Sequence, residues 1–402
     1  KAHGLQIMQN CEAFADAGTE VTLWVARRFN TPELRAVRDV WGHYGVKRNF
    51  ELRRLPCIDL LALVPGQSGW VAQVMFQIEV WTFALAALVR AIFSHADVIY
   101  SRDETILLVM SLIKPRKRLA YEAHTLAQGR AGRALQRRVV RRVGQVFATT
   151  AKLAEDLGAL ESGDDALLVS SINHVPVTST AKKQHVLVAH DGIRRERFAN
   201  VPDQAEARRK IGLTTDRFVV GYVGRLQTMA MDKGVGALVE ALAQVGGCAL
   251  MLVGGPDALA EEFRARWHEL GLDDALFLYA GQVAPDQVPI YLSAFDVCAM
   301  PFPWTTHFAY YASPIKLFEY MASKRALVAS NLPSIAEVVV DGDSALLTPP
   351  SDVAALARAI RRLRDDAGLR DRLAENAYRI VMESYTWEAR AKMILSGLRF
   401  ED

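Results

Sequence analysis

Apolar residues recur along this chain in two rhythms, one of helical period and one of short unbroken runs. Leu5, Met8, Cys11 and Phe14 mark one face of a helix over residues 4–17, and Gly18 supplies a stop. Residues 20–25 then read as a strand. Residues 71–95 form a long, very apolar helical region, with Trp81, Phe83 and Leu88 among its residues, whose density predicts core packing, with membrane contact as the alternative. Residues 97–100, 118–122, 145–149 and 185–189 read as buried parallel strands. A charged, irregular stretch over 194–216 follows, holding one short helix around 205–211. Apolar runs then resume at 218–223, 249–253, 276–280, 296–300 and 326–329, separated by helical or turn-forming segments. Helices are predicted over 353–369 and 373–383, and Tyr385-Thr386-Trp387 opens a terminal helix.

Strands alternating with helices predict parallel sheets covered by helices, an α/β class. The 402 residues are about twice a common domain size, so two domains are expected, 1–200 and 201–384, with the helix 385–402 packing back on the first. A doubly wound sheet opens with a strand ahead of its first helix. None precedes Lys1, so the expectation is that a first strand and part of its loop lie ahead of it, with Gly4 either at the tail of a glycine-containing loop or simply at a helix start.

Charge sharpens this division. Residues 1–200 carry 27 Lys/Arg against 19 Asp/Glu, and residues 201–402 carry 21 against 26, so the first half favours an anionic partner. The excess is concentrated. Lys114, Arg116, Lys117 and Arg118 form one cluster, and Arg130, Arg133, Arg137 and Arg141 recur at helical spacing with Arg138 and Arg142 beside them. Leu135, Val139 and Val143 lie opposite. This amphipathic basic helix points to an anionic membrane face, with a merely solvated face as the alternative; no nucleic-acid-binding motif accompanies it. The longest uncharged run, 60–78, is broken by Pro65, Gly66 and Gly69 and makes a poor membrane span. No signal peptide is visible. Cys11, Cys57, Cys248 and Cys298 show neither metal-ligand spacing nor a tight pair, which predicts reduced thiols and a cytoplasmic setting.

Candidate chemistry gathers at strand ends. After the run 218–223 come Gly224-Arg225 and, beyond a loop at 227–232, Lys233-Gly234 opening a helix. Two cations beside a helix N-terminus suit a diphosphate, although no Gly-Lys-Ser/Thr of a P-loop is present. Ser313-Pro314 feeds a second helix over 315–322, in which Glu319 sits one turn inside, where it repels phosphate but accepts hydrogen bonds from sugar hydroxyls. Glu122-Ala123-His124 ends another strand, and Gly281-Gln282-Val283 a further one; ligands bind beyond such ends in open α/β sheets.

The stretch from Tyr310 to Val339, with Ser-Pro, Lys-x-x-Glu and a following strand, resembles the donor-site signature of family-4 retaining glycosyltransferases of the GT-B fold. His190-Asp191-Gly192-Ile193 is similar to the turn that closes the first domain in that family. The resemblance covers nearly the whole chain and implies two Rossmann-like, doubly wound parallel-sheet domains facing a cleft. By the same resemblance Glu319 holds the nucleotide ribose, and Tyr311, Ser313, Pro314, Ile315 and Lys316 hold the donor sugar and diphosphate. Arg225 and Lys233, next to Gly224, grip the phosphates. Backbone at Gln282 and Val283 reads the base, His124 lines the cleft near the transferred sugar, and the Gly4 loop faces donor phosphates and acceptor. The implied activity is retaining transfer from a UDP- or GDP-linked sugar to a sugar or lipid-linked acceptor in cell-surface polysaccharide or glycolipid assembly. No metal and no cofactor is expected, and a peripheral position at the inner membrane face is. One departure stands out: many members carry a Glu where this chain has Tyr311, which leaves the donor sugar open. A GT-B-fold sugar-nucleotide epimerase and a non-catalytic two-lobed sugar-binding protein are the alternatives.

Overall fold

The computed structural model describes residues 2–29, 35–60, 69–162, 186–213, 216–228 and 231–398. Lys1, Pro65, Gly66 and His185, and the middle of the loop after Arg225, lie outside the described residues. The chain divides into two compact units, Lys1–Ala189 with Trp387–Asp402, and His190–Thr386. The division therefore falls eleven residues ahead of the expected boundary between 200 and 201. The reason is local: Ile193 N–H donates to Tyr385 O at 3.0 Å, which ties the segment after Ala189 to the end of the second unit.

The first unit runs α1 (Ala2–Asp16), β1 (Thr22–Ala26), α2 (Val40–Tyr44), β2 (Glu51–Leu55), α3 (Gly69–Ile92), β3 (Ile99–Ser101), α4 (Glu104–Met110), β4 (Leu119–Ala123), α5 (Gly129–Arg142), β5 (Gln145–Ala148), α6 (Ala151–Ser162) and β6 (Val186–Val188). Strands β3-β4-β5-β6 form a parallel sheet in that order, and β1 pairs with β2 in parallel. The terminal helix Trp387–Gly397 packs here, its Trp387, Ala391 and Ile394 meeting Ala13, Phe14, Ala120 and Phe147. Gly4 is not in a loop but inside α1, where a Cβ would stand 2.6 Å from Tyr44 Oη; its small size serves the approach of α2.

One buried carboxylate links these elements. Glu122, on β4, is fully buried. It meets Arg102 at 2.6 Å, Arg390 of the terminal helix at 3.0 Å, and the Tyr100 hydroxyl. Each arginine is held in turn by an amide of α1: Arg102 donates to Gln6 Oε1 at 3.0 Å and Arg390 to Asn10 Oδ1 at 2.8 Å. Burial pushes the Glu122 carboxyl up, but Arg390 and Arg102 outweigh it and hold it well below the usual range.

The second unit is a single six-stranded parallel sheet. Its elements are α7 (Gln204–Lys210), β7 (Phe218–Val223), the hairpin β8–β9 (Gln227–Thr228 and Met231–Asp232), α8 (Val235–Val245), β10 (Cys248–Val253), α9 (Asp257–Glu269), β11 (Phe277–Tyr279), α10 (Val288–Ala294), β12 (Val297–Met300), α11 (Ile315–Ala322), β13 (Ala326–Ser330), α12 (Pro333–Ala336), β14 (Leu346–Thr348), α13 (Val353–Asp365) and α14 (Ala367–Ser384). The order β11-β10-β7-β12-β13-β14 is that of a doubly wound nucleotide-binding sheet, reversing between β7 and β12. Burial is nearly complete along β7, β10, β12 and β13, which explains why they read as unbroken apolar runs.

Two expectations are corrected and one feature is added. The helix predicted over 353–369 ends at Asp365, because Asp366 turns to an extended conformation and caps α14, accepting from Leu369 N–H at 2.8 Å. The loop before Ile315, for which the sequence predicts no element, contains a π-helical turn, His307–Tyr311. And α3 is not a core helix: only Ala72, Glu79, Ala84, Ala87 and Ala91 are buried, since its alanine face is the one that packs.

If Glu122 and its arginines bind the first unit together, Arg390→Leu should lower stability by about 3 kcal/mol by leaving a buried carboxylate short of a cation. Arg379→Leu, removing an exposed partner of Glu383, should change it by under about 0.5 kcal/mol. Urea denaturation of both variants checks the contrast.

Candidate nucleotide-sugar site

The carboxyl ends of β7, β10 and β11 finish in glycines stitched by main-chain bonds. Gly224 N–H donates to Val253 O at 2.7 Å and Gly254 N–H to Gly281 O at 2.6 Å. A Cβ at Gly254 would lie 2.1 Å from Gly224 O, so only glycine permits this floor. Leu226 N–H donates to Gly255 O at 2.9 Å, fixing the turn that carries the exposed Arg225. Across the point where strand order reverses, Gly234 is left-handed (φ 76°), and a Cβ there would stand 1.7 Å from Pro301 O. That approach brings Lys233 beside the loop leaving β12.

Two lysines converge. Lys233 Nζ sits over the Phe308 ring at 4.1 Å and the Phe302 ring at 4.6 Å. Lys316 Nζ, from the first turn of α11, sits over Tyr222 at 4.1 Å and 5.5 Å from Phe302, and donates to Tyr222 Oη at 2.6 Å. Tyr222 Oη donates onward to Arg225 O at 2.8 Å. A Cβ on Gly224 would meet Lys316 Nζ at 2.5 Å. Among the described residues no carboxylate lies within ion-pair distance of either lysine. Burial lowers Lys233 from 10.5 to about 8, and burial together with the Lys233 charge pushes Lys316 well below its ordinary value. His307 is lowered by burial and by Lys233.

Glu319 lies one turn further along α11. Its carboxylate accepts from Arg197 at 3.1 Å, and Arg197 also donates to Pro285 O. Burial raises the Glu319 pKa against the opposing pull of Arg197. Tyr320 is pinned to β7, accepting from Val223 N–H at 2.7 Å and donating to Val223 O at 3.0 Å, which orients the helix face carrying Lys316 and Glu319. The residue before α11, Pro314, leaves the first turn without a side-chain cap, and Ser313 Oγ accepts from Asp191 N–H at 3.1 Å. Gln282 and Val283 follow β11, with Val283 packed on the core. Tyr311 ends the π-helical turn, its ring 6.4 Å from that of Tyr310.

Gly224, Arg225, Lys233, Ser313, Pro314, Ile315, Lys316 and Glu319 thus share the strand ends and the α11 end of one unit. Gly4 and His124 belong to the first unit, where His124 Nε2 lies 2.6 Å from Glu122 Oε1. Sequence reasoning missed Tyr222, Phe302, Phe308, Tyr320 and Arg197. An aromatic at the end of β7 and the Pro-Phe-Pro after β12 were the available signals. Chemically, two cations held against rings, free helical N–H groups and a nearby carboxylate can take an anionic group beside hydroxyls.

Residues 217–366 match the family model for glycosyl transferases of group 1. The matched segment lies wholly within the second unit. The Acidothermus cellulolyticus D-inositol 3-phosphate glycosyltransferase is 32% identical over 243 residues, 56% of this chain and 52% of that protein. The Streptomyces kanamyceticus alpha-D-kanosaminyltransferase is 29% identical over 189 residues, 46% of each. The chain spans about half the length of the curated relatives it matches. Over the whole chain the similarity is one of fold. The Thermosynechococcus elongatus sucrose-phosphate synthase aligns with a TM-score of 0.68 at 20% identity, over 97% of this chain and 91% of that one. Anabaena Alr3699/HepE, solved with UDP and glucose, aligns at 0.65 and 17%, over 98% and 95%. The chain has the GT-B fold.

The lowered Lys233 pKa has a measurable consequence. Between about 8 and 10.5 the unfolded chain holds a proton that the folded Lys233 has lost, so this residue adds stability as pH rises through that window. Lys233→Met should flatten the rise by up to about 3 kcal/mol. Denaturation of both proteins at stepped pH values reads the difference.

Proposed function

We propose that the chain transfers a glycosyl unit, with retention, from a nucleoside diphosphate sugar to an acceptor hydroxyl. The observation that carries this reading is the pair of lysines that, among the described residues, have no carboxylate within ion-pair distance, set at the switch point of a doubly wound sheet beside an uncapped helix N-terminus. The difficulty in the reaction is negative charge building on the departing diphosphate. Arg225, Lys233 and the first-turn N–H groups of α11 would stabilise it, and these fixed protein charges would supply what a divalent cation otherwise brings. Lys316, behind Gly224, would add to the field. Glu319, aimed by Arg197, would accept the ribose hydroxyls. The main chain at Gln282 and Val283 would meet the base, and Tyr311, Ser313, Pro314 and Ile315 the donor sugar and diphosphate. Tyr311 brings an aromatic phenol in place of a carboxylate, which favours a sugar contacted by ring stacking. His124, held by Glu122, is the first unit's candidate contact to the sugar, and the acceptor falls to that unit. Retention would follow from attack on the face that the diphosphate leaves, the leaving oxygen taking the acceptor proton. The HepE complex with UDP makes uridine the first nucleotide to test, with GDP second. The basic first unit favours an acceptor displayed at the cytoplasmic membrane face, as in cell-surface polysaccharide or glycolipid assembly.

A thermal-shift screen with UDP, GDP, ADP and dTDP should single out one diphosphate, since a ligand at about a hundredfold its Kd stabilises by about 2.7 kcal/mol. Product analysis with that donor separates transfer from epimerisation, and absence of any turnover or donor hydrolysis would leave a binding protein. Arg225→Ala and Lys233→Ala should each reduce turnover about a hundredfold or more with the fold retained. Near-normal turnover in either removes that residue from the role.

Glu319→Gln should weaken nucleotide binding by about 1.5–3 kcal/mol, because the hydroxyls lose a charged acceptor. Calorimetry showing unchanged affinity would make Glu319 a structural partner of Arg197 alone.

A further inference from the structure

Helix α3 is built inside out. The face that packs on the first unit is alanine: Ala84 and Ala91 are fully buried, and Ala72 and Ala87 nearly so. The large apolar side chains point away. Trp70 is 76% exposed, Trp81 52% and Leu85 60%, and Val74, Val89 and Ile92 complete a stripe at helical spacing. A groove of ≈ 700 Å³ runs beside Trp70, Val74, Phe76, Gln77, Ile78 and Trp81. A soluble surface helix buries its large residues and exposes its small or polar ones, so the arrangement needs an apolar partner.

The stripe continues into Phe93, 72% exposed, and Leu112, 69% exposed, at the end of α4. Cations frame this end. Lys114 Nζ donates to Ser94 O at 2.9 Å, next to Phe93. Arg142 reaches Ser111 Oγ at 3.4 Å, next to Leu112, and Arg116 and Lys117 are exposed beyond them. From Lys114 to Arg142 the chain carries ten Lys/Arg and one carboxylate, the buried Glu122. The apolar stripe of the basic helix α5 is already used: Val139 and Val143 are fully buried, so α5 offers arginines only. Insertion and charge thus come from different helices of one unit.

We propose that α3 lies in the surface of an anionic phospholipid bilayer, its Trp70–Ile92 stripe among the acyl chains and the Lys114–Arg142 cations over the head groups. By length and composition α3 could cross a membrane. Its buried face carries Glu79, bonded to Arg28 at 2.9 Å, with Asp59 beside it, which fastens the helix to its own unit and favours lying over spanning. An apolar face alone would equally suit a second copy; the cationic rim, complementary to lipid phosphate and repulsive to its own image, decides for the bilayer.

The test uses the full chain and neither donor nor acceptor, so its outcome is independent of the transferase reading. Co-sedimentation with vesicles of equimolar phosphatidylglycerol and phosphatidylcholine should exceed that with phosphatidylcholine alone, and should fall with salt. Trp81→Glu with Leu85→Glu should cut partitioning about tenfold or more at unchanged melting temperature. Lys114→Glu with Lys117→Glu should narrow the preference for anionic vesicles. Bilayer-embedded brominated lipid should quench the wild-type tryptophans, and Trp70→Phe with Trp81→Phe should abolish the quenching while binding persists. Wild-type protein left in the supernatant at low salt, or binding indifferent to Trp81→Glu with Leu85→Glu, overturns the proposal. So does a dimer in light scattering that this double variant dissociates without any vesicle binding, which would assign the face to a second copy.

Discussion

Two lysines that, among the described residues, have no carboxylate within ion-pair distance set the terms for the second unit. Lys233 and Lys316 approach each other around Phe302, and taking a charge out of water without a carboxylate is costly. The fold bears that cost through neighbours that cannot move. Tyr320 ties α11 to β7 through both of its hydrogen bonds to Val223, Gly234 clamps against Pro301, and Gly224 leaves the volume that Lys316 Nζ occupies. The rings lend the lysines a weakly attractive face that substitutes in part for water. Electrostatic strain of this kind is useful only where an anion arrives, because a preorganised positive site then pays no reorganisation when charge develops.

The first unit treats charge in the opposite way. Glu122 is almost wholly buried, yet it is over-supplied with partners: two arginines, a phenol and an imidazole. Those arginines are themselves held by Gln6 and Asn10, four residues apart on one face of α1. A carboxylate so saturated is a joint between β3, β4, α1 and the terminal helix. It also fixes the His124 ring from behind. The acid has its charge matched by arginines, whereas the lysines of the second unit, among the described residues, have no carboxylate within ion-pair distance.

Much of this was legible in the sequence where the signal is local. Gly224-Arg225, Lys233-Gly234 and Ser313-Pro314 with Glu319 are short-range patterns at strand ends, and glycine there has few other reasons to occur. The partner of Glu319 was not legible, since Arg197 lies 122 residues away. Nor was the ring support of the lysines, because Phe302 and Phe308 read as ordinary core residues until the π-helical turn His307–Tyr311 is seen. Helix α3 was misread for a different reason. Its composition is apolar all round, and composition does not say which side packs; the alanines at 84, 87 and 91 carried that information, as small residues are what let a helix lie close. The break at Asp366 was missed because an acidic residue in a charged helical run looks like surface until its backbone turns extended.

The order of groups on α11 is what joins fold to proposed chemistry. Lys316 and Glu319 are three residues apart and so share a face, with the cation nearer the helix N-terminus. The N-terminal end, with its free N–H groups and positive dipole, reinforces the lysine and would oppose a carboxylate placed there. One turn along, that opposition fades, and Arg197 opposes the upward pull of burial on Glu319. A nucleoside diphosphate presents the same sequence of demands along its length, anionic phosphates and then a neutral diol. A helix that carried the two residues in reverse would set its carboxylate against phosphate and its lysine against hydroxyls. The polarity of α11, fixed by Tyr320 on β7, therefore determines on this reading which end of a donor enters first.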